Sequence, residues 1–180
     1  LYIAGYATIE GQIGSATRTL AYDLSGEEPT LLWDTVGPTK NSAIATYTPA
    51  FVSGENQFFF HDVVIDKATG EQTQAPWGKD FPIAQADGIV VTCSATTSCA
   101  GWTREGSEWT NLWTTTTAIQ SGFGLHNHDL GYAPAGTALA GSGAQAAVLV
   151  PTAIKELPQV LNVHTGEVTT LNNPNGNADY

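Results

Sequence analysis

Apolar and polar residues alternate over short stretches along most of the 180-residue chain, and Gly-containing turns separate the stretches. Phe58-Phe-Phe60, Val63-Val-Ile65 and Gly88-Ile-Val-Val-Thr92 are dense in aromatic and β-branched side chains. Short runs of this kind bounded by turn residues read as buried strands. The helical period is faint. Thr152–Leu157 could form one turn, but Pro151 and Pro158 bound it closely. The pattern therefore predicts an all-β chain.

The strand pattern also repeats. Its clearest copy runs from Pro49 to Gly70: two strands flank Ser53-Gly-Glu-Asn56, a third ends at Asp66, and Asp66-Lys-Ala-Thr-Gly70 makes a turn. In such a turn Asp accepts backbone hydrogen bonds and Gly supplies a positive φ. Ala21-Tyr-Asp23-Leu-Ser-Gly26 is a shorter version. Ala100–Gly106 keeps the spacing with Trp102 in place of Asp, and Val160–Gly166 has Asn162 there. The turn glycines Gly26, Gly70, Gly106 and Gly166 recur at intervals of 44, 36 and 60 residues. Two of these intervals lie near the ~40–50 residues of a four-stranded propeller blade. The surplus in the third falls in 121–143, a Gly- and Ala-rich stretch read as an irregular insert between blades. The expected organisation is a single segment with approximate repeats 1–38, 39–80, 81–120 and 140–173. The alternative is a β-sandwich. Leu1-Tyr-Ile-Ala and Ala146-Ala-Val-Leu-Val150 both read as core strands rather than polar caps.

Val64-Ile-Asp66-Lys-Ala-Thr69-Gly70-Glu71 followed by Trp77 resembles the repeat of the pyrroloquinoline-quinone-like β-propeller superfamily, in a degenerate form of secreted bacterial type. Ala21-Tyr-Asp23 with Gly26 and Trp33 is a looser match. Ala86-Asp-Gly-Ile-Val-Val91 is similar to the opening strand of that repeat, and Thr165-Gly166-Glu167 marks a copy without its Trp. The resemblance implies antiparallel four-stranded blades with a Trp docked between neighbours. It also implies a ring of seven or eight blades, so further blades of a parent chain or self-association would cover the ends of these four. Fold resemblance carries no function with it. Enzymes of the superfamily hold a quinone above a metal ion, often against a vicinal cystine. No adjacent Cys pair stands in this sequence, and no cofactor is expected.

Charge narrows the partners. The net charge is −11, from 17 acidic and 6 basic residues, and the basic residues are scattered. Such a surface disfavours nucleic acid and anionic membranes. No apolar run approaches the ~20 residues that span a bilayer, so no direct membrane insertion is expected. The chain has no Met and begins at Leu1, which reads as a mature or excised fragment. Cys93 and Cys99 flank Ser-Ala-Thr-Thr-Ser, a hairpin turn that would bring them face to face. They read as a disulfide, the alternative being two free buried thiols. A disulfide implies an oxidising compartment and hence a secreted or cell-envelope protein.

Candidate chemistry is sparse. His126-Asn127-His128-Asp129 is the sharpest cluster. In an extended segment His126 and His128 point to one side and could share a metal, with Asp129 as ligand or orienter. The plainer reading is a polar loop. His61 and His164 lie near repeat turns and read as structural. Trp33, Trp77, Trp102, Trp109 and Trp113 could stack on sugars, but packing between blades accounts for four of them and leaves Trp113 over. Glu27-Glu28 and Glu105 with Glu108 read as solvated turn carboxylates. The expectation is a non-catalytic extracellular propeller module with a protein or carbohydrate ligand. The alternative is a metal-dependent or quinoprotein-like enzyme fragment using the 121–143 insert.

Overall fold

In a computed structural model, the structure describes residues 1–8, 15–37, 52–60, 63–78, 80–94, 98–116, 139–150, 157 and 159–172. Residues 152–156, read above as a helical turn, and the tail beyond Asn172 lie outside them. The described residues are all-β, with one short 3-10 turn at Gly143–Gln145. The chain divides into two compact units, Leu1–Ala75 and Pro76–Tyr180.

The first unit contains two sheets. β1 (Tyr2–Thr8), β2 (Ser15–Asp23) and β3 (Thr30–Val36) form one, and β4 (Val52–Ser53), β5 (Gln57–Phe59), β6 (Val63–Asp66) and β7 (Gln72–Gln74) form the other. The second unit repeats the plan. β8 (Phe81–Ala86), β9 (Ile89–Cys93), β10 (Ser98–Glu105) and β11 (Glu108–Thr116) make its first sheet. β12 (Leu139–Ala140), β13 (Ala147–Val150), β14 (Gln159–Asn162) and β15 (Val168–Thr170) make its second. Every sheet is an antiparallel meander in chain order, as in a propeller blade. Three have four strands; the first has three among the described residues, where a full blade was expected.

The turn motif behaves as its residues dictate. Asp66 Oδ1 accepts the N–H groups of Ala68 and Thr69 at 3.0 and 2.9 Å, and the Thr69 hydroxyl at 2.9 Å. Asn162 Oδ1 does the same for His164 and Thr165 at 2.9 and 3.0 Å. Each turn closes with the Gly N–H on the carbonyl of Asp66 or Asn162, both at 2.9 Å. The third copy departs from this scheme. There the hairpin runs on through Glu105 and turns tightly at Gly106-Ser107, so Trp102 is a strand residue rather than a turn residue.

The junction between sheets is built on tryptophan. In the first unit Trp33 of β3 donates its indole N–H to the Lys67 carbonyl at 3.0 Å, and Thr35 donates to the Gly70 carbonyl at 2.7 Å. Trp33 packs against buried Phe58, Phe60, Val63 and Ile65. In the second unit Trp113 of β11 donates to the Val163 carbonyl at 2.9 Å. It borders the core of Ile89, Val91, Cys93, Val148, Leu161 and Val163. The carrier strands match in register as well. Ala21 pairs with Trp33 and Gly101 with Trp113, and in both hairpins a bulge follows the pair. Both indoles lie on the turn glycine of the next sheet. A Cβ on Gly70 (φ +73°) would come within 2.7 Å of the Trp33 ring, and one on Gly166 (φ +70°) within 2.6 Å of the Trp113 ring. Glycine is required twice over there, for its backbone angle and for the ring above it.

The two segments expected to be core strands differ. Ala146 and Val148 are buried, whereas Leu1 and Ile3 are exposed. The apolar pattern of the first segment is real, but no described neighbour covers it.

Trp113→Ala removes both a half-buried ring and a donor, and is expected to destabilise the chain by about 3 kcal/mol, the low end for a large aromatic. Gly166→Ala is expected to cost about 1–3 kcal/mol through strain at positive φ. Urea unfolding monitored by circular dichroism checks both; a loss below about 1 kcal/mol for Trp113→Ala would show that the indole does not hold the junction.

Candidate functional site

Cys93 ends β9 and Cys99 lies near the start of β10, so antiparallel pairing sets them opposite each other. The flanking Ser94 N–H bonds to the Ser98 carbonyl at 2.8 Å, which makes Cys93–Cys99 the non-hydrogen-bonded pair, where side chains approach most closely. The two are joined as a disulfide with Cα atoms 4.0 Å apart, and both are buried in the second unit's core. A buried cystine is consistent with an extracytoplasmic location. Among the described residues, no helix is long and apolar enough to cross a membrane.

The tryptophans divide by role. Trp33 and Trp113 are committed to backbone carbonyls, which accounts for Trp113. Trp77 is buried and packs edge-on against Trp102 and Trp109, with centroids 6.4 and 5.4 Å apart. Trp102 reaches back to donate its indole N–H to the buried Thr92 hydroxyl at 3.0 Å. The Arg104 guanidinium sits 5.7 Å from the Trp109 ring, its partner across the hairpin. Trp102, Arg104 and Trp109 are half-buried, and exposed Glu105 and Glu108 close the hairpin beside them. This aromatic and cationic surface is the most ligand-like feature among the described residues: ring faces with a fixed guanidinium can stack on planar or sugar rings and pair with carboxylates.

Two contacts escaped sequence reasoning. His164 Nε2 lies 3.1 Å from Asp87 Oδ2, tying the tight Asp87-Gly88 hairpin to the Asn162–Gly166 turn. Lys67 extends its ammonium to Ser53 Oγ at 2.9 Å and to the Gly54 carbonyl, 4.8 Å from the Phe58 ring centroid. The Lys67 carbonyl accepts from Tyr2 as well as from Trp33, and Tyr2 stands edge-on to Phe58 at 4.9 Å. Each set pins a turn.

Electrostatics are organised mainly on the first sheet. Arg18 donates from Nε to Asp34 Oδ1 at 2.9 Å and from Nη2 to Oδ2. These hydrogen bonds hold the Asp34 carboxyl below its ordinary range and raise Arg18 further. Asp23 is lowered too, chiefly by the Ser25 backbone N–H bonded to its carboxylate. Glu27 and Glu28 are exposed, as expected of solvated acids.

His126, His128 and Asp129 lie outside the described residues, as does His61. Among the described residues no group of three or more His, Cys, Asp or Glu is placed to hold a metal ion. No protein-family model matches the chain, and no curated protein matches it.

Intact protein should gain two hydrogens in mass on reduction, and replacing both cysteines by Ser should cost about 2 kcal/mol, the entropy of closing so short a loop. Thiols that alkylate without reductant would refute the bond. A folded-state pKa below the unfolded value means that Asp34 contributes stability above the unfolded value and loses it as pH falls through the native one. Its carboxyl resonance should therefore titrate below the ordinary ~3.9, and Arg18→Gln should move the midpoint upward. An unmoved midpoint would show that the ion pair does not form in solution.

Proposed function

We propose that this chain is a non-catalytic module of an extracellular or cell-envelope protein, of β-propeller type, that presents a binding or scaffold surface. The carrying observation is the use made of its distinctive side chains. Asp66 and Asn162 each hold a turn, Trp33 and Trp113 each hold a sheet junction, and Cys93–Cys99 holds a hairpin. Asp66 and Trp33 are among the repeat residues through which the chain resembles the pyrroloquinoline-quinone-like propellers, and here their chemistry is architectural. The half-buried Trp102–Arg104–Trp109 surface supports a protein or carbohydrate ligand, because it combines ring faces with a cation on a rigid hairpin. The buried cystine and the net charge of −11 support an extracytoplasmic site of action without nucleic acid as partner.

Metal content separates this reading from an enzyme that uses His126, His128 and Asp129. Purified protein, dialysed against zinc or calcium and then buffer, is expected to hold well under one equivalent by elemental analysis. Stoichiometric metal that disappears in the His126→Ala/His128→Ala double variant would overturn the non-catalytic reading in favour of a metal centre.

A further inference from the structure

Resting on the binding-module reading above, we infer that the Trp102–Arg104–Trp109 face of the third sheet is a subsite for an acidic sugar: a uronate ring stacks on the indoles and its carboxylate pairs with Arg104. Register defines the subsite. Across the β10–β11 hairpin Arg104 pairs with Trp109, and Trp102 pairs with Asn111. Side chains alternate along strands and match across them, so these four share one side, about 7 Å along the strands by about 5 Å across. Glu105 and Glu108 pair with each other and by the same alternation point to the other side. The four residues belong to one hairpin of the second unit.

Arg104 is the unusual group. Its guanidinium lies 5.7 Å from the centroid of the Trp109 ring. Its Nε is buried without a hydrogen-bond partner among the described residues, and no described carboxylate pairs with it. The other described Arg and Lys side chains are held by the protein: Arg18 by Asp34, and Lys67 by Ser53 and the Gly54 carbonyl. Stacking on an indole uses the flat face of a guanidinium; its N–H donors lie in the plane and remain unspent. Acceptors are plentiful in a chain with 17 acidic residues, yet the two carboxylates nearest in sequence, Glu105 and Glu108, turn to the opposite side. A half-buried guanidinium held without an acceptor has given up hydration that an acceptor on a ligand would replace.

The class of that acceptor follows from its surroundings. The planar fork of Arg matches a carboxylate bidentately. Exposed Glu105 and Glu108 at the end of the hairpin, with a net charge of −11, disfavour a ligand of higher negative charge such as a phosphate monoester. Beside the cation stand two half-buried indoles whose rings are already set. Trp77 packs edge-on against both, and Trp102 is tied to the Thr92 hydroxyl at 3.0 Å. Rings fixed beforehand lose little freedom on binding. Asn111 is exposed, and its Oδ1 accepts from Thr114 at 3.3 Å, which leaves its NH2 group to donate to a ring hydroxyl. Ring faces, one cation and an amide donor on a single side fit a sugar that carries one carboxylate. An acidic peptide would meet the cation and leave the rings unused.

The test is an NMR titration of the whole 180-residue chain with tetragalacturonate and, separately, tetramannuronate. Cellotetraose serves as the neutral control and tetraglutamate as the charge control. At least one uronate oligomer should shift the indole N–H resonances of Trp102 and Trp109 saturably. Those of Trp33 and Trp113, bonded at the sheet junctions, should stay in place. Arg104→Gln should weaken the binding at least about tenfold, and Arg104→Lys, which keeps the charge and loses the fork, should recover only part of it. Circular dichroism should show both variants folded; if Arg104→Gln does not fold, Arg104→Lys decides. Absence of a saturable shift with either uronate up to about 5 mM overturns the inference. Equal binding of cellotetraose or tetraglutamate does so too, as does uronate binding that neither Arg104 variant weakens. Each of these results leaves the non-catalytic reading standing, because only the metal test above decides that.

Discussion

An indole N–H donated to a backbone carbonyl in the neighbouring sheet's turn is the interaction on which each unit depends. A meander sheet of short strands hides little apolar surface by itself and becomes stable when a neighbour covers it. Trp33 and Trp113 do two things at that interface. Their rings cover the core, and their single donor fixes where the next sheet's turn must sit. That second role explains the neighbouring residues. A turn that receives a ring needs a carbonyl aimed at it, which the Asx hydrogen bonds of Asp66 and Asn162 secure. It also needs a residue without a Cβ beneath the ring, at Gly70 and Gly166.

Much of this was legible along the chain. Strand runs, the Asp-x-x-Thr-Gly turn and its Asn variant, and the facing cysteines each depend on residues within a few positions of one another. Local chemistry is what a single sequence displays best. The partner of each Trp was not legible. Trp33 docks on Lys67 and Trp113 on Val163, separations of 34 and 50 residues that differ because the intervening connections differ. No fixed spacing marks such a pair. Leu1 and Ile3 mark a second limit. Their apolarity says that the face wants cover, but not whether cover is present. Lys67, one of the chain's few cations, looked like an ordinary turn residue; its ties to Ser53, Gly54 and Phe58 exist only once β4–β7 are assembled.

The third copy shows why a degenerate repeat is not a damaged one. Sequence spacing sets Trp102 at the motif's Asp position, but strand register matches it to Tyr22 of the first sheet, and Trp77 packs edge-on against it. A carboxylate beneath a buried ring would lose its hydration with no donor in return, a cost that usually exceeds what a turn hydrogen bond recovers. Trp in its place gives an edge-on aromatic contact and sends its own donor to Thr92, whose buried hydroxyl needs a partner. The turn then has no Asx acceptor to organise it. The strands instead continue to Glu105 and reverse at Gly106, where a positive φ suffices. The junction, the hairpin length and the turn type thus all differ in this copy. Arg104 and Trp109 lie along the extended hairpin, partly open to solvent. Trp102 and Trp109 pack on Trp77 and also form the half-buried aromatic surface beside Arg104, so a change at Trp102 would alter packing and exposed surface at once.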